Sequence, residues 1–212
     1  WNNDGYEIKN FCDSAGNQKS VARGVDQKFK TMISWTSLSS SNLGVRFYED
    51  KFLSDQNGNF IVADEDDLMV FLAFLCSYVA KDIVKMLNPT MHILVSNVSD
   101  LPLYNDLKVW NTAKELSRRA VEIAKKDWES FEISWGFKKN PLVNNIEQKS
   151  IRDNYCAWIA CAQKAIGELT NLEEMNNDLF IRLYGMDRQL DSKVPIEQIT
   201  LTVNPAYRYG IK

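Results

Sequence analysis

Histidine, cysteine and proline are scarce in this chain of 212 residues, which has one His, four Cys and five Pro. A single imidazole, His92, excludes a metal centre built from several histidines. Cys12, Cys76, Cys156 and Cys161 form no CxxC pair, and the last two stand five apart on an expected helix, where they point in different directions. They are expected to be reduced core residues of a cytoplasmic protein. No long apolar run is present either. The longest, Leu68 to Ala80, contains Cys76, Ser77 and Tyr78 and is too short to cross a bilayer, so it is expected to be a buried helix, with no membrane partner. The chain begins at Trp1 rather than at a methionine and has no basic-then-apolar leader, which points to a piece of a longer polypeptide.

An excess of positive charge is missing as well. The net charge is −3, unfavourable for a nucleic-acid ligand unless the cations are segregated on one face. They are unevenly placed. Residues 16 to 48 hold Lys19, Arg23, Lys28, Lys30 and Arg46 against Asp26 alone, enough to face phosphate while acidic surfaces point elsewhere. A solvated basic loop without a partner satisfies the composition equally well.

What the chain does have is enough apolar content, 45% hydrophobic residues, for one core or two small ones. The first 64 residues are rich in Gly, Asn, Ser and Asp and contain short β-prone pieces at Met32 to Trp35, Gly44 to Tyr48, Lys51 to Leu53 and Asn59 to Val62. Asn57-Gly58 is a tight-turn signal between the last two. Asp64 is placed to cap a helix opening with Glu65, Asp66 and Asp67 and running to Leu87, where Asn88-Pro89 stops it. An extended segment through Val98 should follow. Val109, Ala113, Leu116, Ala120 and Ile123, then Ile151, Tyr155, Trp158, Ala162, Ala165, Leu169 and Leu172, recur at spacings of three and four. These predict two helices folding back as an antiparallel hairpin across Asn140-Pro141 and Asn144-Asn145. A strand is expected from Ile196 to Val203. The fold class is α+β: an irregular β-rich module with a buried helix over 1–104, a helical hairpin over 105–185, and a short β tail over 186–212.

Two sets of polar residues invite a catalytic reading and are set aside. Asn204-Pro205-Ala206-Tyr207 nearly matches the Asn-Pro-Pro-Tyr loop of adenine methyltransferases, but Ala206 replaces the second proline and no strand leads into a Gly-rich cofactor turn. A strand-terminating turn is the expected role. Glu129, Glu132, Glu173 and Glu174 are expected to be exposed charges, and the mixed signs of Lys114, Arg118, Arg119, Lys125 and Lys126 among acids suggest a solvated helix face.

Three stretches carry a family resemblance: Leu87 to Val98 closing on Leu101-Pro102-Leu103, Trp1 to Asn10, and Asp127 to Trp135. In that order they resemble the region of PglX-like adenine-specific DNA methyltransferases, of BREX phage-defence systems and their type IIG restriction-modification relatives, that follows the catalytic domain. The resemblance implies that S-adenosylmethionine is held by a catalytic domain outside this chain, and that no cofactor-binding or catalytic residue lies within it. It implies three partners: double-stranded DNA, the catalytic domain of the same polypeptide, and other defence-system subunits. It also makes residues 31 to 48 a DNA-facing, Trp-centred, Ser-rich stretch. The hydroxyls of Ser34, Thr36, Ser37, Ser39, Ser40 and Ser41 then reach phosphate or base edges, with Arg46 as a bidentate contact. Arg23, Lys28 and Lys30 add phosphate contacts. His92 is expected to be a hydrogen-bonded strand residue rather than a general base, with a contact to a base edge open to it, and Asn97, near the same edge, an adenine reader. The hairpin becomes a spacer or clamp. The function so implied is sequence-specific duplex recognition for adenine-N6 methylation. The alternative is a protein-interaction or dimerisation module built on the hairpin's apolar stripes.

Overall fold

A computed structural model describes residues 2–20, 27, 29–39, 43–54, 57–144 and 150–210. A 3-10 turn at Asn2–Gly5 and one helical turn, α1 (Tyr6–Lys9), precede the sheet. β1 (Met32–Thr36), β2 (Val45–Tyr48) and β3 (Gly58–Ile61) pair antiparallel in the order β2-β1-β3. Strand alternation sends Ile33 and Trp35 of β1 into the core with Val45 and Phe47 opposite them, and leaves Ser34 and Thr36 on the other face. Lys51 to Leu53 forms no strand. All three of its side chains are exposed, so it has no face to bury. Asn57-Gly58 consequently does not close a hairpin with it: Gly58 opens β3 opposite Thr36, and the Asn57 carbonyl accepts from the Ser37 amide.

The apolar helix is two helices, α2 (Glu65–Cys76) and α3 (Tyr78–Leu87), divided at Ser77. Asp64 occupies the N-cap position of α2 without making the side-chain cap bond. The division has a local cause and a distant one. The Ser77 hydroxyl donates to the Phe74 carbonyl at 2.6 Å and accepts from the Ala80 amide at 3.2 Å, diverting the backbone and capping α3. From a helix a hundred residues onward, Asn176 Nδ2 donates to the Ala73 carbonyl at 2.8 Å and Asn177 Oδ1 accepts from the Tyr78 amide at 2.9 Å. These side chains satisfy a carbonyl and an amide at the break.

Asn88-Pro89 ends α3 as expected, but the following segment is only briefly extended. His92 pairs with Leu38 as an isolated bridge, and Val95–Ser99 coil into α4. Asn97 explains the change: its Oδ1 accepts from the Leu94 amide at 2.9 Å and from Asn88 Nδ2 at 3.0 Å, which winds the chain into a turn.

α5 (Leu107–Trp128), capped by Asp106, and α7 (Ile151–Leu183), capped by Ser150, form the antiparallel hairpin; α6 (Pro141–Asn144) lies between them in sequence. Val109 and Leu116 of α5 line a shallow groove with Leu179 and Leu183 of α7, and Arg119 reaches Glu168. The apolar stripe of α7 is not buried along its whole length. Ile151 and Tyr155 are exposed because α5 has ended and α6 covers one side only, through Asn154 Nδ2 on the Leu142 carbonyl at 2.8 Å.

Ile196 to Val203 form no strand. Ile196–Gln198 make a 3-10 turn, and Pro205–Tyr209 form α8. Val194, Ile199 and Leu201 instead bury against Ile123, Ile166 and Leu169 of the hairpin, a better outlet for apolar side chains than an unpartnered strand. The Asp127 carboxylate accepts from the Thr202 amide at 2.6 Å and the Val203 amide at 3.1 Å, fixing the tail to the end of α5. The larger core joins Ile33, Trp35, Leu68 and Phe74 with Ala113 of α5 and Phe180 and Ile181 of α7, so sheet and hairpin share one interior. The architecture is α+β, with helices outweighing a three-stranded sheet.

Two expectations about polar groups need correction. All four cysteines are free, but Cys12, Cys156 and Cys161 are exposed rather than in the core; only Cys76 is half-buried, where burial pushes its thiol up to about 11. Glu173 and Glu174 are not freely exposed. Burial pushes the Glu173 carboxyl up to about 7, partly offset by Lys81, while Glu174 is paired with Lys193 at 2.7 Å and accepts from the Val194 amide.

Candidate nucleic-acid interface

The face of the sheet turned away from the core brings several of the expected residues together. Ser34 of β1 stands opposite Arg46 of β2 in register, with Thr36 two residues along β1 and Tyr48 two along β2. Continuing past β1, Leu38 bridges to His92, which brings the segment after α3 to the end of the same face. Two anchors hold it there. Trp35, 3% exposed, donates its Nε1–H to the Ile93 carbonyl at 3.1 Å, and Asn59 Nδ2 donates to the same oxygen at 2.9 Å. The Ser39 amide bonds the Met91 carbonyl and the Ile93 amide bonds the Ser37 carbonyl, completing the bridge. Trp35 is thus a core residue whose polar atom positions His92, and Phe47 packs against the same core.

The hydroxyls separate by strand parity. Thr36 is exposed. Ser34 is half-buried and donates to the Asn59 carbonyl at 2.8 Å, leaving lone pairs but no free proton. Ser37 is buried and Ser39 half-buried on the inward-facing parity. The carboxamide oxygen of Asn97 holds two protons already, from Leu94 and Asn88, so its place here is in shaping the His92 segment. Lys30, exposed, stands just before β1 at the opposite end of the sheet, and His92 is exposed. Arg23, Lys28, Ser40 and Ser41 lie outside the described residues. Tyr48, which shares the outward parity of Arg46, belongs with the group; the alternation of Arg46, Phe47 and Tyr48 was the available signal.

Electrostatically this face differs from the hairpin. Arg46 and Lys30 form no ion pair among the described residues, whereas Lys114, Arg118, Arg119 and Lys125 of α5 are engaged and only Lys108 and Lys126 of that helix are not. Lys114 and Arg118 both bind Asp66 and hold its carboxyl below the usual range, Lys125 does the same to Glu49, and Arg119 is shared between Glu122 and Glu168. Exposed side chains already held by carboxylates have less to offer a phosphate.

No methyl-transfer geometry is found at Asn204. Its side chain is fully buried, with Nδ2 donating to the Ile196 and Ile199 carbonyls at 2.8 Å and Oδ1 accepting from the Ala206 amide at 3.1 Å, so it caps α8. An amide committed to three backbone groups cannot hold a target adenine. Among the described residues there is no group of three or more metal-ligating side chains, and no helix is long and apolar enough to cross a membrane.

No family model matches the chain. It is similar to the adenine-specific methyltransferase BrxX of Escherichia coli O9:H4 (strain HS), 27% identical over 213 residues that cover 99% of this chain and 16% of that protein. It is also similar to the adenine-specific methyltransferase PglX of Lacticaseibacillus casei (strain Zhang), 30% identical over 196 residues, 90% of this chain and again 16% of the relative. The chain therefore spans about one sixth of the length of these curated relatives. With nearly all of it aligned to one stretch of each, the chain belongs to the PglX-like adenine-specific methyltransferase family and corresponds to a segment of its members.

Proposed function

We propose that this segment reads the address for a methyltransferase, gripping duplex DNA with the outer face of its sheet while the chemistry occurs elsewhere in the protein. The observation that carries the reading is the grouping of the exposed side chains of Arg46, Thr36 and His92 on the outer sheet face, with Arg46 in no ion pair among the described residues. Arg46 suits a bidentate contact to guanine or to phosphate, Thr36 a phosphate or base-edge hydrogen bond, and Lys30 a phosphate. His92, delivered by the bridge to Leu38, supplies a further polar contact to a base edge.

The relatives are adenine-specific methyltransferases by name. The reaction assigned by this reading is therefore transfer of a methyl group to the N6 of adenine in phage defence or restriction-modification, with S-adenosylmethionine bound by a catalytic domain. The Asn204 turn does not fit a flipped adenine, since Asn204 is a buried helix cap. The residues of this chain position DNA and leave bond making to other parts of the protein. Other defence subunits are partners of that larger protein. A protein-docking role for the hairpin stripes is less well supported, because Ala113, Ile123 and Leu169 of those stripes are buried within the fold.

The test is duplex binding measured across a salt series for the wild-type chain and for Arg46→Ala with Lys30→Ala. Loss of affinity with a shallower salt dependence is expected. Unchanged binding in the double variant would remove the sheet face from the interface.

A further inference from the structure

The end of α5 and the loop after it carry large apolar side chains that the core does not use. Trp135 is 84% exposed, Ile133 72% and Trp128 47%. The loop itself is tightly wound: Phe131 bonds back to Trp128, Ser134 to Phe131 and Phe137 to Ser134, and the Ser134 hydroxyl accepts from the Gly136 amide. Glu129 folds over Gly136, where any added side chain would collide with its carboxyl group. A fixed backbone therefore holds an indole in water, although burial of such a ring is favourable.

Trp135 is not isolated. One face stacks on Phe52, ring centroids 5.8 Å apart at 23°, and Phe52 meets Tyr48 edge-on at 5.2 Å. Tyr48 shares the sheet face of Arg46. Three rings thus run from the outer sheet face to the tip of the hairpin and end on an indole whose second face is bare. Lys138 and Lys139 follow it, both exposed and in no ion pair among the described residues, with exposed Glu132 the acid nearest in sequence.

We propose that Trp135 is a stacking platform for an unpaired nucleobase, with Lys138 and Lys139 taking the flanking phosphates. Every base offers a flat π-face on an anionic backbone, and aromatic rings bordered by cations match both. A protein-docking patch is the weaker reading of the same residues, since lysine is depleted in such interfaces. The inference rests on the sheet face being the duplex contact, for it places the unpaired nucleotide beside that duplex.

The test compares fluorescence anisotropy of a labelled oligothymidylate and a labelled duplex with the full 212-residue chain, its Trp135→Ala and Trp135→Phe variants, and Arg46→Ala. Trp135 is exposed, so circular dichroism should show the variants folded. Trp135→Ala should weaken oligothymidylate binding roughly tenfold while duplex binding holds, and Trp135→Phe should retain most of it. Wild-type chain that binds duplex but not oligothymidylate, or oligothymidylate binding indifferent to Trp135→Ala, overturns the platform and leaves the duplex reading standing. Duplex binding indifferent to Arg46→Ala overturns the duplex reading alone, if the single-strand result holds. A concentration-dependent dimer in light scattering that Trp135→Ala dissolves would identify a protein face and also overturn the platform.

Discussion

The outer sheet face and the hairpin both carry cations, and they use them oppositely. On α5, Lys114, Arg118, Arg119 and Lys125 are tied to Asp66, Glu49, Glu122 and Glu168, so the charge connects elements of the fold. On the sheet, Arg46 is exposed on an edge strand and in no ion pair among the described residues. A count of positive residues would rank the hairpin as the better anion site. Pairing narrows that lead, because an ion pair already formed must be broken before a phosphate can compete.

The comparison can be broken at several points. The largest effect is expected in the hairpin interior: Phe180→Ala, removing a ring that meets Phe74 at 5.5 Å in the shared core, should cost about 3–5 kcal/mol in urea unfolding. If the sheet unfolded separately in that variant, the single interior would be refuted. Next, Arg46→Ala should lower duplex affinity roughly tenfold and flatten the salt dependence by about one phosphate contact. Its unfolding midpoint should be nearly unchanged. A smaller effect depends on pH. Half-buried Glu173 keeps its proton up to about 7, whereas in the unfolded chain it ionises near 4.5. Between these values the folded form binds more protons, so stability should fall as pH rises through the window, and Glu173→Gln should remove that fall. The smallest effect sharpens the contrast most. Asp66→Ala releases Lys114 and Arg118 and should leave duplex affinity within about threefold of wild type. A larger gain would make α5 part of the DNA surface.

Legibility followed the range of the interactions involved. Apolar spacing announced both long helices and Asp106 and Ser150 cap them locally, so that part was readable from neighbouring residues. The strand at Met32 was readable from alternation. The division at Ser77 was not, because Asn176 and Asn177 complete it from about a hundred positions away. The tail misled for a similar reason: Ile199 and Leu201 look β-prone, but their partners are on the hairpin. Within the candidate site, the Ser-rich stretch was visible, yet which hydroxyls point outward depended on register. Thr36 faces solvent and Ser37 the interior. The exposed Trp135 carried no local sign distinguishing it from a core tryptophan.

The paired carboxamides at positions 176 and 177 also make the fold sensitive to chain length. One residue inserted in α7 between Ile166 and Asn176 would swing both amides about 100° around the helix axis, away from Ala73 and Tyr78. The elbow between α2 and α3 would then lose its clasp, and the strap that delivers His92 to the sheet would lose its alignment. Length changes should therefore be far better tolerated in the connector beyond Trp135 than in this short stretch of helix, even though the stretch lies on a different helix from the elbow it secures.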